Sequence, residues 1–187
     1  MKKSLIIVLA VLALAAVWVF SSYNSLVSVD EGVKNKWADV ETQYQRRMDL
    51  IPNVVNTVKG SANFEQSTLQ AVVEARSAWA NAKASRDINA ETAAAQSFDS
   101  ALSRLLVTVE AYPNLKSTEA FRDLTTELEG TENRVAVARR DFNAAVKDYN
   151  LVIRRFPSNL VAKIFNFDLR SSFEATNGAE KAPEVKF

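Results

Sequence analysis

The sequence predicts an all-α protein: an N-terminal transmembrane helix followed by an elongated antiparallel four-helix bundle with long first and fourth helices. Three observations carry this expectation. Phe121, Leu124, Leu128, Thr131, Val135, Ala138, Phe142, Ala145, Tyr149, Val152 and Phe156 step by threes and fours, the coiled-coil spacing that keeps one helix face on a partner. A second stripe of the same kind, Leu26, Val33, Trp37, Val40, Tyr44, Ile51, Val54 and Val58, follows directly from a hydrophobic N-terminus. Four glycines and four prolines in 187 residues are too few for a fold rich in tight hairpin turns.

The first element is Met1-Lys2-Lys3 and an unbroken apolar run from Leu5 to Phe20. Its sixteen residues cover roughly 24 Å at about 1.5 Å each, so spanning a bilayer draws in Ser21 to Tyr23 and snorkelling lysines. A cleavage site can be drawn at Ala13-Leu14-Ala15, but the run continues through Val17-Trp18-Val19-Phe20 and favours an uncleaved anchor. Lys2 and Lys3 put the N-terminus in the cytoplasm and send the rest of the chain to the outer side. Trp18 and Tyr23 suit the membrane interface.

The second stripe continues this element as one long helix. Gly32 weakens it by about 1 kcal/mol, and Pro52 predicts a kink or a restart capped by Asp49. Gly60-Ser61-Ala62-Asn63 ends it. A second helix runs from about Phe64 to Ser85, with Leu69, Val72, Val73 and Trp79 on its apolar side. After a break at Asp87-Ile88-Asn89, a third carries Ala95, Phe98, Leu102, Leu105, Val109 and Tyr112. Pro113-Asn114 stops it, Ser117-Thr118-Glu119 caps the fourth, and Phe156-Pro157 ends that one after Arg155.

Short connections favour antiparallel neighbours. The outer two helices are about 54 and 53 Å long and the middle two about 33 Å, at 1.5 Å per residue. Helices two and three therefore reach only the membrane-distal part of the long pair, and the fourth returns to the bilayer. Leu26, Val33 and Trp37 would be left uncovered, a face for homo-oligomerisation or for docking other envelope proteins. Leu160 to Phe167, including Ile164, Phe165 and Phe167, lies in the headgroup layer or caps the base of the bundle. The domains expected are the anchor at 1–22, the bundle at 23–173 and a disordered tail at 174–187.

A net charge of +1 and mixed signs along every helix give no clustered basic face for nucleic acid. The absence of cysteine removes thiolate chemistry and disulfides. The absence of histidine removes the usual general base and the commonest metal ligand, so no catalytic residue, metal site or cofactor is expected. Glu127, Glu129 and Glu132 alone do not make a di-metal bundle site, which needs inward Glu-x-x-His pairs.

Arg47 is the chief anomaly, because it falls on the seam set by Val33, Val40 and Val54. With the long helices antiparallel, facing numbers sum to about 178, which sets Arg47 opposite Thr131. Arg76 reaches a similar height on the second helix, and Glu132 and Glu74 are near enough to supply countercharge. Such a layer is a register-fixing device, an anion or ligand site of bidentate guanidiniums, or an ordinary surface position. Arg46 with Asp49, and Arg139 with Arg140 and Asp141, read as solvated pairs.

Tyr23-Asn24-Ser25-Leu26-Val27, Gln45-Arg46-Arg47-Met48-Asp49-Leu50-Ile51-Pro52-Asn53-Val54-Val55 and Glu74-Ala75-Arg76 resemble blocks of the LemA family of bacterial membrane-anchored proteins. Tyr112-Pro113-Asn114-Leu115-Lys116, Leu128 to Arg134, Ala138 to Asn143 and Phe156-Pro157-Ser158-Asn159 resemble its later blocks, in order. The resemblance implies an N-terminal transmembrane segment and a bundle of four long helices, and no established reaction or cofactor. Anchor, bundle and uncovered seam together lead to the expectation of an inner-membrane scaffold or interaction protein of the bacterial envelope, with the lipid bilayer and envelope proteins or further copies of the chain as partners. The alternatives are a sensory bundle that binds an anion or ligand at its arginine layer, and third an enzyme of unknown type.

Overall fold

The apolar run that opens the chain and the stripe that follows it form one helix, α1 (Lys2–Lys59), of 58 residues. The computed structural model describes residues 2–60 and 64–174. Within α1 an 18-residue window reaches a mean hydropathy of 2.7 with none of it buried, so this helix is long and apolar enough to cross a membrane. The restart at Pro52 does not occur, since α1 passes through it. A proline inside a helix costs about 3 kcal/mol. Buried Ile51, Val54, Val55 and Val58 surround it, and each such side chain contributes about 1.5–3 kcal/mol when held from water. Asp49 accepts instead from Gln45 Nε2 one turn earlier, at 2.8 Å.

α2 (Gln66–Ser85) and α3 (Ile88–Val109) form a tight pair. Arg86 takes a left-handed conformation with φ 57° to end α2, and the Asp87 carboxylate then accepts from Asn89 N–H at 2.9 Å to start α3. α3 stops three residues before the expected Tyr112, and α4 (Pro113–Lys116) opens with proline in its first turn. Thr118 caps α5 (Glu119–Arg154), accepting from Phe121 N–H at 3.4 Å. α6 (Ser158–Ile164) follows. The expected break at 61–63 and all but the first residue of the expected tail, 175–187, lie outside the described residues.

Side-chain pairs give the helix directions. Trp37 meets Phe142 with ring centroids 5.1 Å apart and Arg47 meets Glu132, so α1 and α5 run antiparallel with facing numbers summing to 179. Glu91 and Asp99 of α3 meet Trp37 and Tyr44, so α3 runs parallel to α1. Lys83 and Trp79 of α2 meet Glu41 and Tyr44, so α2 runs against it. All described regular structure is α-helical, and one hydrophobic cluster runs from Leu26 to Phe173.

The uncovered seam is corrected. Leu26, Val33 and Trp37 are 0%, 0% and 4% exposed. α2 and α3 do stop near the level of Trp37 and Glu41, but below them the chain returns. After α6, Asn166 takes φ 55° and turns the backbone into an extended strap, residues 167–174. Phe167 reaches the Tyr23 ring, Arg170 reaches Asp30 and Phe173 stacks on Trp37. The strap and α6 thus fill the length of groove that the short helices leave open.

Candidate functional site

Heptad steps from Val33 through Val40 carry Arg47 into the buried face of α1, where it is 2% exposed. One turn earlier the same face carries Tyr44, which is fully buried. α3 supplies Asp99, and α5 supplies Glu132 and Arg139, seven residues apart and so on one side of that helix. Asp99 is the hub. Its Oδ1 accepts from Arg47 Nη1 at 2.7 Å and its Oδ2 accepts from the Tyr44 hydroxyl at 2.7 Å. Arg139 Nη2 contacts both Asp99 Oδ2 and the Tyr44 hydroxyl, and Arg47 Nη2 donates to Glu132.

Two guanidiniums thus meet two carboxylates, with no net charge left over. Both cations also sit over the Tyr44 ring, 5.9 Å and 5.4 Å from its centre. Burial pushes the Tyr44 phenol up to about 12, against the pull of the two arginines, so it stays a donor to Asp99. Burial lowers the Arg139 pKa, against the favourable neighbouring phenol. Among the described residues, Arg47 Nε and Arg139 Nε have no hydrogen-bond partner, so the layer is balanced in charge but not in hydrogen bonds.

Of the residues expected in this layer, the structure brings Arg47 and Glu132 together. Thr131 is buried beside them, but its hydroxyl donates to Leu128 O of its own helix at 2.7 Å. Arg76 is corrected: its side chain on α2 is exposed, as is that of Glu74, and the contacts of Arg47 run to Asp99 and Glu132 instead. Its neighbours on that stripe, Leu69, Val72 and Trp79, are buried, and Arg76 stands only about 40° round the helix from Val72, so its exposure comes from the long side chain reaching out to water and not from a different helix face. Arg139 is corrected in the other direction. Arg140 and Asp141 do pair on the surface, while Arg139 turns inward to Asp99.

Sequence reasoning missed Tyr44, Asp99 and Arg139 as polar partners, and also Glu91. A signal existed, since Glu91 stands four residues before Ala95 on the apolar stripe of α3. It is 3% exposed and accepts from Trp37 Nε1 at 2.9 Å. Burial pushes its carboxyl up to about 7, the Trp37 N–H pulls it down and the negative charge of Glu41 raises it further. No His, Cys, Asp and Glu group able to hold a metal is found among the described residues.

At the other end, Tyr23 packs on Phe165 with ring centroids 4.7 Å apart. Trp18 and Phe165 are exposed and Phe167 is half-buried. α6 buries Val161 and Ala162 against the base and turns Leu160 and Ile164 outward, the latter 70% exposed. Three grooves lie at the far tip, one of about 720 Å³ lined by Val55, Phe64, Leu69 and Val73, and another of about 400 Å³ lies beside the strap between Asp30, Tyr149 and Arg170; none of the four is lined by Arg47 or Asp99.

The LemA family profile matches residues 36–187. Magnetosome protein MamQ 2 of Paramagnetospirillum magneticum is 30% identical over 190 aligned residues, 89% of this chain and 70% of that protein. Magnetosome protein MamQ of Magnetospirillum gryphiswaldense is 27% identical, over 87% of this chain and 69% of its own. Protein LemA of Metamycoplasma hominis is 24% identical, over 82% and 69%.

Proposed function

The chain belongs to the LemA family, and from that premise we propose that it is a single-pass inner-membrane scaffold of the bacterial envelope. Its four main helices form an elongated antiparallel bundle on the outer side. The observation that carries this reading is the continuity of α1. The apolar segment and the central helix of the core are one rod of 58 residues, about 87 Å at 1.5 Å per residue. No linker decouples the lipid-embedded part from the folded part, so the bundle is held upright on the bilayer as a fixed platform.

Two features support it. Phe156, Leu160, Ile164 and Phe165 present apolar side chains beside Lys163 and Arg155 at the level where α1 leaves its apolar run, as a base resting in the headgroup layer would. The Arg47–Asp99–Arg139–Glu132 layer ties α1, α3 and α5 in one register. The ligand-binding alternative draws on the two unpaired Nε donors of that layer, but the pairing of its two guanidiniums with two carboxylates favours the structural role.

The chain has no cysteine, so one introduced at exposed Ser103 reports sidedness. The expected result is labelling of intact cells by an outer-membrane-permeant, inner-membrane-impermeant maleimide, with the whole chain resisting alkaline carbonate extraction. Release by carbonate would remove the anchor, and labelling only after permeabilisation would reverse the orientation.

A further inference from the structure

The strap is gripped by its backbone. Asn150 Nδ2 donates to Arg170 O at 2.9 Å while Arg170 N–H donates to Asn150 Oδ1 at 3.0 Å. Asn143 makes the same two-way pairing with Phe173, both at 2.9 Å. The Tyr149 hydroxyl donates to Asp168 O at 3.0 Å, and Ser171 N–H donates to Asn89 Oδ1 at 2.9 Å. All six bonds leave the identity of the strap residue unread.

The spacing fits an extended chain. Asn143 and Asn150 are seven residues apart on α5, about 10.5 Å at helical rise. Arg170 and Phe173 are three apart in the strap, about 10 Å at strand rise. The opposite wall repeats the match, because Asp30 and Trp37 on α1 are also seven apart. Arg170 Nη2 lies 3.0 Å from Asp30 Oδ1. Phe173 stacks on Trp37 with centroids 5.9 Å apart and planes 18° apart, beneath the Arg139 guanidinium at 4.5 Å. Two amide clamps fix the main chain, and two pockets select a cation and an aromatic three residues later.

Only Phe173 of the strap is buried, at 7% exposed, while Leu169, Ser171 and Ser172 face solvent. A segment with one buried anchor opens at low cost compared with the core beneath it. The groove so vacated has the parts of a linear-peptide site, in which main-chain bonds give affinity and side-chain pockets give specificity.

We propose that the groove between α1 and α5 binds an extended partner peptide bearing a basic residue and, three positions on, an aromatic one, and that residues 168–173 are its resident competitor in cis. This rests on the interaction role proposed above and gives it a ligand class. A partner peptide fits better than a second copy's strap. Only three residues separate Ile164, at the end of the seated α6, from Asp168, a reach of about 10 Å, while one helix is about 10–12 Å across.

The test uses the full chain in detergent micelles and a fluorescent synthetic peptide of sequence Phe-Asp-Leu-Arg-Ser-Ser-Phe-Glu, read by anisotropy. Phe173→Ala vacates the aromatic slot. Ser171→Pro removes the bond to Asn89 without leaving a cavity. Either variant should bind the peptide at least tenfold more tightly than the unaltered chain. Adding Asn150→Ala, or replacing the peptide's last phenylalanine by alanine, should remove most of that gain. No gain in a variant that keeps its helicity overturns the proposal. So does the unfolding of both variants, which would make the strap inseparable core, or a dimer forming without peptide, which would make a second copy the occupant. Carbonate extraction of the same variants is read separately, so a chain that stays in the membrane but binds no peptide sinks this proposal alone.

Discussion

Asp99→Ala is the most exacting perturbation of the polar layer, because one carboxylate serves three partners on two other helices. Its removal leaves Arg47, whose side chain is 3% exposed, with Glu132 alone, and that residue is 62% exposed. It also takes the acceptor from the Tyr44 hydroxyl and the countercharge from Arg139. Breaking a fully buried ion pair by deleting one partner costs about 3–5 kcal/mol. Asp99 keeps 21% of its side chain in water, which reduces the expectation to about 2–4 kcal/mol. At about 2–4 °C of melting temperature per kcal/mol for a chain of this size, the loss is about 4–16 °C. Arg47→Met removes the charge along with its need for a partner and leaves Asp99 bound to Tyr44 and Arg139, so it should cost less than Asp99→Ala. Thermal unfolding of the detergent-solubilised chain, followed by far-ultraviolet circular dichroism, measures both. A melting point for Asp99→Ala within about 2 °C of the unaltered chain, or below it by no more than Arg47→Met, would refute the hub assignment.

Glu91 predicts a pH dependence. Its carboxyl is raised from 4.5 to about 7 in the folded chain, chiefly by burial. Its stabilising contribution is therefore complete below about pH 4.5 and lost as pH rises through 7. The melting temperature should fall between pH 5 and 8, and Glu91→Gln should flatten that slope; an unchanged slope would exclude the residue. Val33→Glu should cost about 3–5 kcal/mol by burying an unpaired charge, whereas Val107→Glu, at a position 72% exposed, should stay within about 0.5 kcal/mol. Equal chemical denaturation midpoints for the two would contradict the covered seam. Thr118→Ala removes the cap of α5 and should cost about 0.5–1 kcal/mol, at the low end of the range because the bond is long at 3.4 Å, as a small drop in melting temperature would report.

The sequence by itself determined the all-α class, the long apolar start and the run of the main helices, because these follow from local periodicity, caps and prolines that act within a turn or two. It also put Arg47 on a buried face and close to the facing number on α5, since helical rise is constant. Tertiary structure decided the rest. Seam spacing could not tell whether Arg76 turned in or out, because it shares a stripe with buried Leu69, Val72 and Trp79 and only the packing around α2 decides whether a long side chain there lies inward or reaches water. It could not show that Asp99 and Arg139 close the layer, as each stands beside rather than on its stripe. Least legible was the strap. Residues 167–174 have no periodicity and are held largely through their backbone, so no local pattern marks Arg170 and Phe173 as partners of Asp30 and Trp37, and the cover they give Leu26, Val33 and Trp37 exists only once Asn143 and Asn150 have been brought beside Asp30 and Trp37 by the packing of α1 on α5.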